Sequence, residues 1–246
     1  MDMNKKIYIL IVSFSLRAAS MAQADSLYMT GDYQQAMQSY QTLIDEGMLS
    51  ADLYYNAGNA YFRNNRLADA IICYERALRL DATHADAKHN LAFAQSRTID
   101  KIDAIGSIFL VDWWKACYRL ANPDVWAYCS IGLFILCLVA IMLFVFGRAM
   151  WLRKTGFSIA ILAFFFTLIT ALCASARYRE ITDTSLAIIY VPTVTIKSSP
   201  DNSGNDLFIL HEGTKVSIKS TLSDWLEIQT EDGNTGWLPA TTLVVL

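Results

Sequence analysis

Two charge-free apolar runs, at residues 126–146 and 156–176, constrain this chain more than any other feature. Each is 21 residues long, which as a helix is about 31 Å against a hydrocarbon core of about 30 Å. Two such runs joined by nine residues read as a hairpin of transmembrane helices. The joining segment 147–155, GRAMWLRKT, carries Arg148, Arg153 and Lys154 and no acid, which assigns it to the cytoplasmic side. Everything before residue 126 and after residue 176 then lies on the opposite face. Neither run contains an Asp, Glu, Lys, Arg or His, so ion or proton transport has no candidate group there and the hairpin reads as an anchor.

Composition matters mainly for what it excludes. The chain is 54% apolar, above an ordinary soluble domain, and the excess sits in the two runs. Formal net charge is −3, with no basic block outside the joining loop, so a nucleic-acid-binding face is not expected. The N-terminus reads as an export signal over residues 1–22. Lys5 and Lys6 precede an apolar core at 7–16, and Ser20-Met21-Ala22 offers a small-x-small cleavage site. That core would make about 15 Å of helix, too short for a stable crossing. Cleavage after Ala22 and retention as an uncleaved anchor both leave the next region outside the cytoplasm, in agreement with the basic loop. Of five cysteines, Cys129, Cys137 and Cys173 sit inside the apolar runs, and Cys73 and Cys117 lie far apart, so no disulfide framework is indicated. There is no Cys-x-x-Cys, and His84, His89 and His211 are poorly spaced to share an ion, so neither a metal nor a cofactor is expected.

Residues 23–98 repeat with a period of 34. Gly31 recurs as Asn65, Tyr33 as Leu67, Ala36 as Ala70, Tyr40 as Tyr74 and Leu43 as Ala77. Tyr54, Ala57, Gly58 and Tyr61 mark the first helix of the second unit. Small residues where antiparallel helices touch, with aromatics filling the gaps, are the mark of stacked helix pairs. The pattern resembles a tetratricopeptide repeat, with units at 24–46 and 51–80 and a closing helix at 84–98. The turn LDATHADA lacks the proline usual at that point of the family. The first helices would line a small concave face with Asp52, Tyr55, Asn56, Asn59, Arg63, Asp86, His89, Asn90, Phe93 and Arg97. The candidate peptide-binding set is Tyr55, Asn56, Asn59, Arg63, His89, Asn90 and Arg97. The resemblance implies that Asn56 and Asn90, 34 apart, bond the backbone of a bound peptide. The plain alternative is that these residues cap helices or face water. Arg63 and Arg97 point to an acidic or carboxyl-terminal peptide.

Segment 99–125 reads as an amphipathic interfacial stretch, with a helix at 106–121 lying on the outer leaflet. Trp113, Trp114, Tyr118 and Trp126 suit the headgroup layer, and Asn122-Pro123 turns the chain into the bilayer. From residue 184 the pattern changes to short β runs (SLAIIY, TVTIK, LFIL, KVSIKS, DWLEIQT, TGWLPATTLVVL) separated by turn signals, including a hairpin at Asp232-Gly233. Gly213-Thr214, Trp225 and the Asp232-Gly233-Asn234-Thr235-Gly236-Trp237 stretch resemble a bacterial SH3-like domain over 184–246, with Thr195-Ile196-Lys197 where that family carries Asn-Val-Arg. Trp225 is the candidate residue of an SH3-like ligand face, with a place in the barrel core as the equal alternative. Trp237 reads preferentially as a core residue.

The whole order resembles the BatE family, the tetratricopeptide member of the Bacteroides aerotolerance group, most closely over 72–103. The resemblance implies a multidomain membrane protein of the bacterial inner membrane: all-α tetratricopeptide helix pairs, a two-helix transmembrane hairpin and a small all-β SH3-like barrel, with both terminal domains periplasmic. It implies a non-enzymatic scaffold within an aerotolerance or envelope-stress complex. Its partners would be membrane proteins with von Willebrand-type A domains and, indirectly, a MoxR-type AAA ATPase. A peptidoglycan-binding envelope sensor using the SH3-like domain is the alternative. The residues themselves show no nucleophile–base arrangement and no paired catalytic carboxylates, so no enzyme is expected.

Overall fold

Alanine and glycine at the recurring positions let the N-terminal helices close on one another, and buried tyrosines fill what remains. In the computed structural model, which describes residues 20–102, 106 and 108–246, residues 20–29 are helical. Four helices follow: α1 (Tyr33–Asp45), α2 (Ala51–Arg63), α3 (Leu67–Leu80) and α4 (Ala85–Gln95). Residues 1–19 of the expected export signal, and 103–105 and 107 of the expected interfacial segment, lie outside the described residues. The 34-residue period is visible in the backbone. Gly31 and Asn65 occupy the same turn of successive units, and both adopt positive φ, +85° and +59°. Asparagine is among the few residues other than glycine that tolerate this left-handed conformation. Asp32 caps α1, accepting from the Gln35 backbone N–H at 3.1 Å while the Gln35 side-chain amide reaches back to its other oxygen at 2.7 Å. Gly58 on α2 faces α3. A Cβ there would lie 2.6 Å from the Tyr74 ring of α3, so any larger residue would force that ring to move.

The C-terminal strands are β1 (Leu186–Ile189), β2 (Thr193–Lys197), β3 (Asp206–His211), β4 (Lys215–Leu222), β5 (Trp225–Thr230), β6 (Thr235–Pro239) and β7 (Leu243–Val245). They form one antiparallel sheet in the order β3-β2-β6-β5-β4-β1-β7. Alternation puts Val194, Ile196, Leu226, Ile228 and Leu238 in its core. Gly236 is buried with them, where any side chain would strike Ile196, and Trp237 therefore points to the opposite face and is half-buried. This corrects the core placement of Trp237 favoured by the sequence.

Helices and sheet form one compact unit, although the sequence presents them as two modules. Strand β1 is the reason. Ala187 and Ile189 enter the sheet core, while Ile188, 0% exposed, belongs to the helical core together with flanking contacts from Val244 and Leu246. A strand buried on both faces reads as an unbroken apolar run, as LAII does. Polar contacts fasten the edges. Lys215 Nζ donates to Glu75 Oε1 at 2.7 Å, and Arg79 donates to the backbone oxygen of Leu246 at 2.9 Å. Just past α4, Asp100 accepts three hydrogen bonds from the sheet: the His211 N–H at 2.7 Å, the Thr214 hydroxyl at 2.7 Å, and His211 Nδ1 at 2.8 Å. Burial pushes the Asp100 carboxyl up, but these donors outweigh it and hold its pKa below the usual carboxylate range. Ile102 then packs against the sheet core.

Residues 108–183 belong to a second unit, of helices α5 (Phe109–Tyr118), α6 (Pro123–Phe146) and α7 (Met150–Thr182). Helices α6 and α7 are each long and apolar enough to cross a membrane. Both run beyond the charge-free segments: α7 begins six residues ahead of Gly156, taking in Arg153 and Lys154, and continues past Ala176 to Thr182. Only residues 147–149 join the two helices. Small side chains lie where the helices meet, namely Cys137 and Ala140 on α6 and Gly156, Ala163 and Cys173 on α7. A Cβ at Gly156 would stand 2.9 Å from the Ala140 carbonyl oxygen. Most other side chains of the pair are exposed and apolar. Helix packing by small residues, with apolar surface turned outward, is the pattern of membrane helices.

Candidate functional site

The concave face is built on a hydrogen-bond ladder that repeats with the sequence. Asp25 Oδ1 accepts from the Tyr40 hydroxyl at 2.6 Å and from Asn56 Nδ2 at 3.1 Å. One period on, Asn59 Oδ1 accepts from the Tyr74 hydroxyl at 2.7 Å and from Asn90 Nδ2 at 2.7 Å. Positions 25, 40 and 56 thus become 59, 74 and 90, each displaced by 34. Each rung joins three helices, because the tyrosine rises from the second helix of a unit and the asparagine from the first helix of the next. Burial, reinforced by the bond to Asp25, pushes the Tyr40 hydroxyl pKa up. Burial raises that of Tyr74 too, against the opposing effect of Asn90. Both hydroxyls remain protonated donors.

A third rung would need an acceptor at position 93, which is Phe93 instead. Its ring lies 5.6 Å from that of Phe62 and is exposed at the end of the stack. Beside it opens a cavity of about 200 Å³. Asn59, Arg63 and Asn90 supply its polar lining, and Tyr28, Phe62, Tyr74 and Phe93 its aromatic walls. With Asn59 Oδ1 already accepting two bonds, its Nδ2 and the side-chain oxygen Oδ1 of Asn90 have no partner among the described residues. The pair offers a donor and an acceptor side by side, the complement of a peptide group.

The structure thus gathers Asn59, Arg63 and Asn90 of the candidate set at one cavity. The others lie elsewhere. Asn56 spends its amide on Asp25 in the first rung. Tyr55 is half-buried against the helical core, its ring 4.8 Å from His84, whose Nδ1 caps α4 by accepting from the Ala87 N–H. His89 is exposed on α4, and Arg97 is exposed with its guanidinium stacked 5.1 Å over Phe93. Arg63 is stacked likewise over Tyr33 at 5.1 Å. Stacking fixes both cations at the rim of the groove. Tyr28 and Phe62 were not in the candidate set, yet they stand 34 apart at one repeat position. That periodicity was the signal that could have found them.

On the sheet, Trp225 lies opposite Pro239 and Trp237 opposite Glu227. Directly paired residues share a face, so both tryptophans are on the side away from the core.

Residues 18–85 match the family model of the tetratricopeptide repeat. No curated protein matches the chain in sequence. Repeats of this kind generally present concave surfaces to other proteins, which suggests protein–protein interaction for this region.

Proposed function

We propose that the protein is a membrane-anchored adaptor whose helical groove holds an extended peptide segment of a partner. The observation that carries this reading is the cavity lined by Asn59, Asn90 and Arg63, within a region that matches the tetratricopeptide repeat. The Asn59–Asn90 pair meets the peptide backbone, the aromatic walls take one apolar side chain, and Arg63 and Arg97 at the rim favour an acidic segment or a terminal carboxylate. The tetratricopeptide domain of 23–98 works with the SH3-like domain of 184–246 as one body. The hairpin of α6 and α7 crosses the bacterial inner membrane, with 147–155 cytoplasmic and both domains periplasmic. The exposed apolar surface of the two helices, with Arg148 in their connection and Arg153 and Lys154 in the first turns of α7, supports that topology.

The resemblance to the BatE family makes membrane proteins with von Willebrand-type A domains the first partners to test, with a MoxR-type AAA ATPase reached through them. The test is recovery of those proteins on the full chain in detergent extract. The double variant Arg63→Glu/Arg97→Glu should reduce recovery severalfold while the unfolding temperature stays unchanged. Undiminished recovery excludes the groove as the binding element. A second reading, a sensor that binds peptidoglycan, is favoured by the shared outer face of Trp225 and Trp237. It requires that Trp225→Ala weaken pelleting of the protein with purified sacculi.

A further inference from the structure

We infer that one face of α5 is built to lie in the interfacial layer of a phospholipid bilayer. Spaced at 100° per residue, α5 has three faces. Trp114, Cys117 and Tyr118 turn towards the protein, and Tyr118 is buried. Asp112, Lys115 and Arg119 form a polar flank. The third face is Phe109, Trp113 and Ala116, continued by Leu120 just past the helix, at spacings of four, three and four residues. Phe109 is 76% exposed, Trp113 58% and Leu120 71%, so nothing in the described chain covers this stripe. An isolated apolar residue at a surface is ordinary, whereas a stripe at helical period beside a charged flank marks an interaction surface.

What holds α5 decides the occupant. Arg119 binds Glu180 on α7 through Nε at 2.8 Å and through its terminal nitrogen, and Glu180 is bound in turn by Arg177 at 2.7 Å. Trp126, near the start of α6, donates its indole N–H to the Tyr118 carbonyl at 2.9 Å. These bonds fix α5 at the end of the hairpin where the apolar run of α7 gives way to charge. If the hairpin spans the bilayer, on which this inference rests, that end is the interfacial layer, where an indole and a phenyl ring are favoured. A headgroup–acyl boundary therefore fits the stripe, and the ionic cluster sets the depth at which α5 rides.

The experiment is fluorine NMR of the full chain, labelled with fluorotryptophan, in nanodiscs of phosphatidylethanolamine and phosphatidylglycerol. The Trp113 resonance is identified by its loss in Trp113→Phe. Lipids with a nitroxide high on the acyl chain should broaden it severalfold, and an aqueous gadolinium chelate should leave it sharp while broadening Trp225. Broadening of Trp113 by the chelate overturns the inference. Protection from both agents also overturns it, since the stripe would then be covered by a second copy or another protein. A chain that fails to enter the bilayer overturns the hairpin reading and this one together, whereas insertion with Trp113 in water overturns this one alone.

Discussion

Asn59 accepts two hydrogen bonds in the same place where Asp25 does so one repeat earlier, and this equivalence predicts which substitutions the ladder tolerates. Asn59→Asp keeps an acceptor for the Tyr74 hydroxyl and the Asn90 amide, and should change the unfolding free energy little. Asn59→Leu strands both donors and should cost about 1–3 kcal/mol. Thermal or urea unfolding of the two variants checks this, and equal losses would refute the ladder. Asp100 supports a pH prediction of definite sign. Its carboxyl titrates below the ordinary value of 3.8 when folded. Its contribution is therefore complete above that pH and is lost as pH falls through the lower, folded value. Asp100→Asn should destabilise the protein at neutral pH by about 1–3 kcal/mol, because the donors of His211 and Thr214 lose a carboxylate. The difference from the parent should shrink as acid protonates Asp100. Unfolding curves at neutral pH and through progressively more acid solutions measure it.

At the level of elements, two glycines hold helix pairs at close range. Gly58→Ala pushes against the buried Tyr74 ring, which the ladder fixes from the other side. The expected loss is about 1–3 kcal/mol, read from the shift in urea midpoint. Gly156 plays the corresponding part in the hairpin, against the α6 backbone at Ala140 and Phe144. Gly156→Leu should separate α6 from α7, and cysteine crosslinking between the helices should fall. Strand β1 shows how an element can serve two cores at once. Ile188→Ala removes a side chain from the helical core although it sits in the sheet. A cost of about 2–5 kcal/mol is expected, with loss of structure in helices and strands together. A loss confined to the strands would contradict the shared interface.

For the whole molecule, what could be read in the sequence follows the range of the interactions. The 34-residue period and the apolar runs are local patterns, so the helix pairs, the two long helices and the β region were all legible. Contacts made across the chain were not. Asp100 meets His211 111 residues away and Glu75 meets Lys215 140 residues away, and no spacing in the sequence announces either. The joining of helices to sheet did leave one trace, the run LAII, unbroken where a half-solvated strand would alternate. The same limit explains the groove. Asn56 looked equivalent to Asn90, and it is, but the equivalence is first of all that of a structural ladder whose rungs span 31 residues. At the end of the ladder, beside Phe93, the Asn59–Asn90 pair lines an open cavity.

That end of the groove is where a partner should be caught. A photoreactive phenylalanine analogue placed at Phe93 in the full chain, irradiated in intact cells, tests this most directly. Discrete crosslinks to protein partners are expected, which disappear in the Arg63→Glu background, and none from the same analogue at Tyr55, which faces His84 inside the stack. Equal crosslinking from both positions, or crosslinks at Phe93 that persist in Arg63→Glu, would contradict the claim that this groove is the binding site.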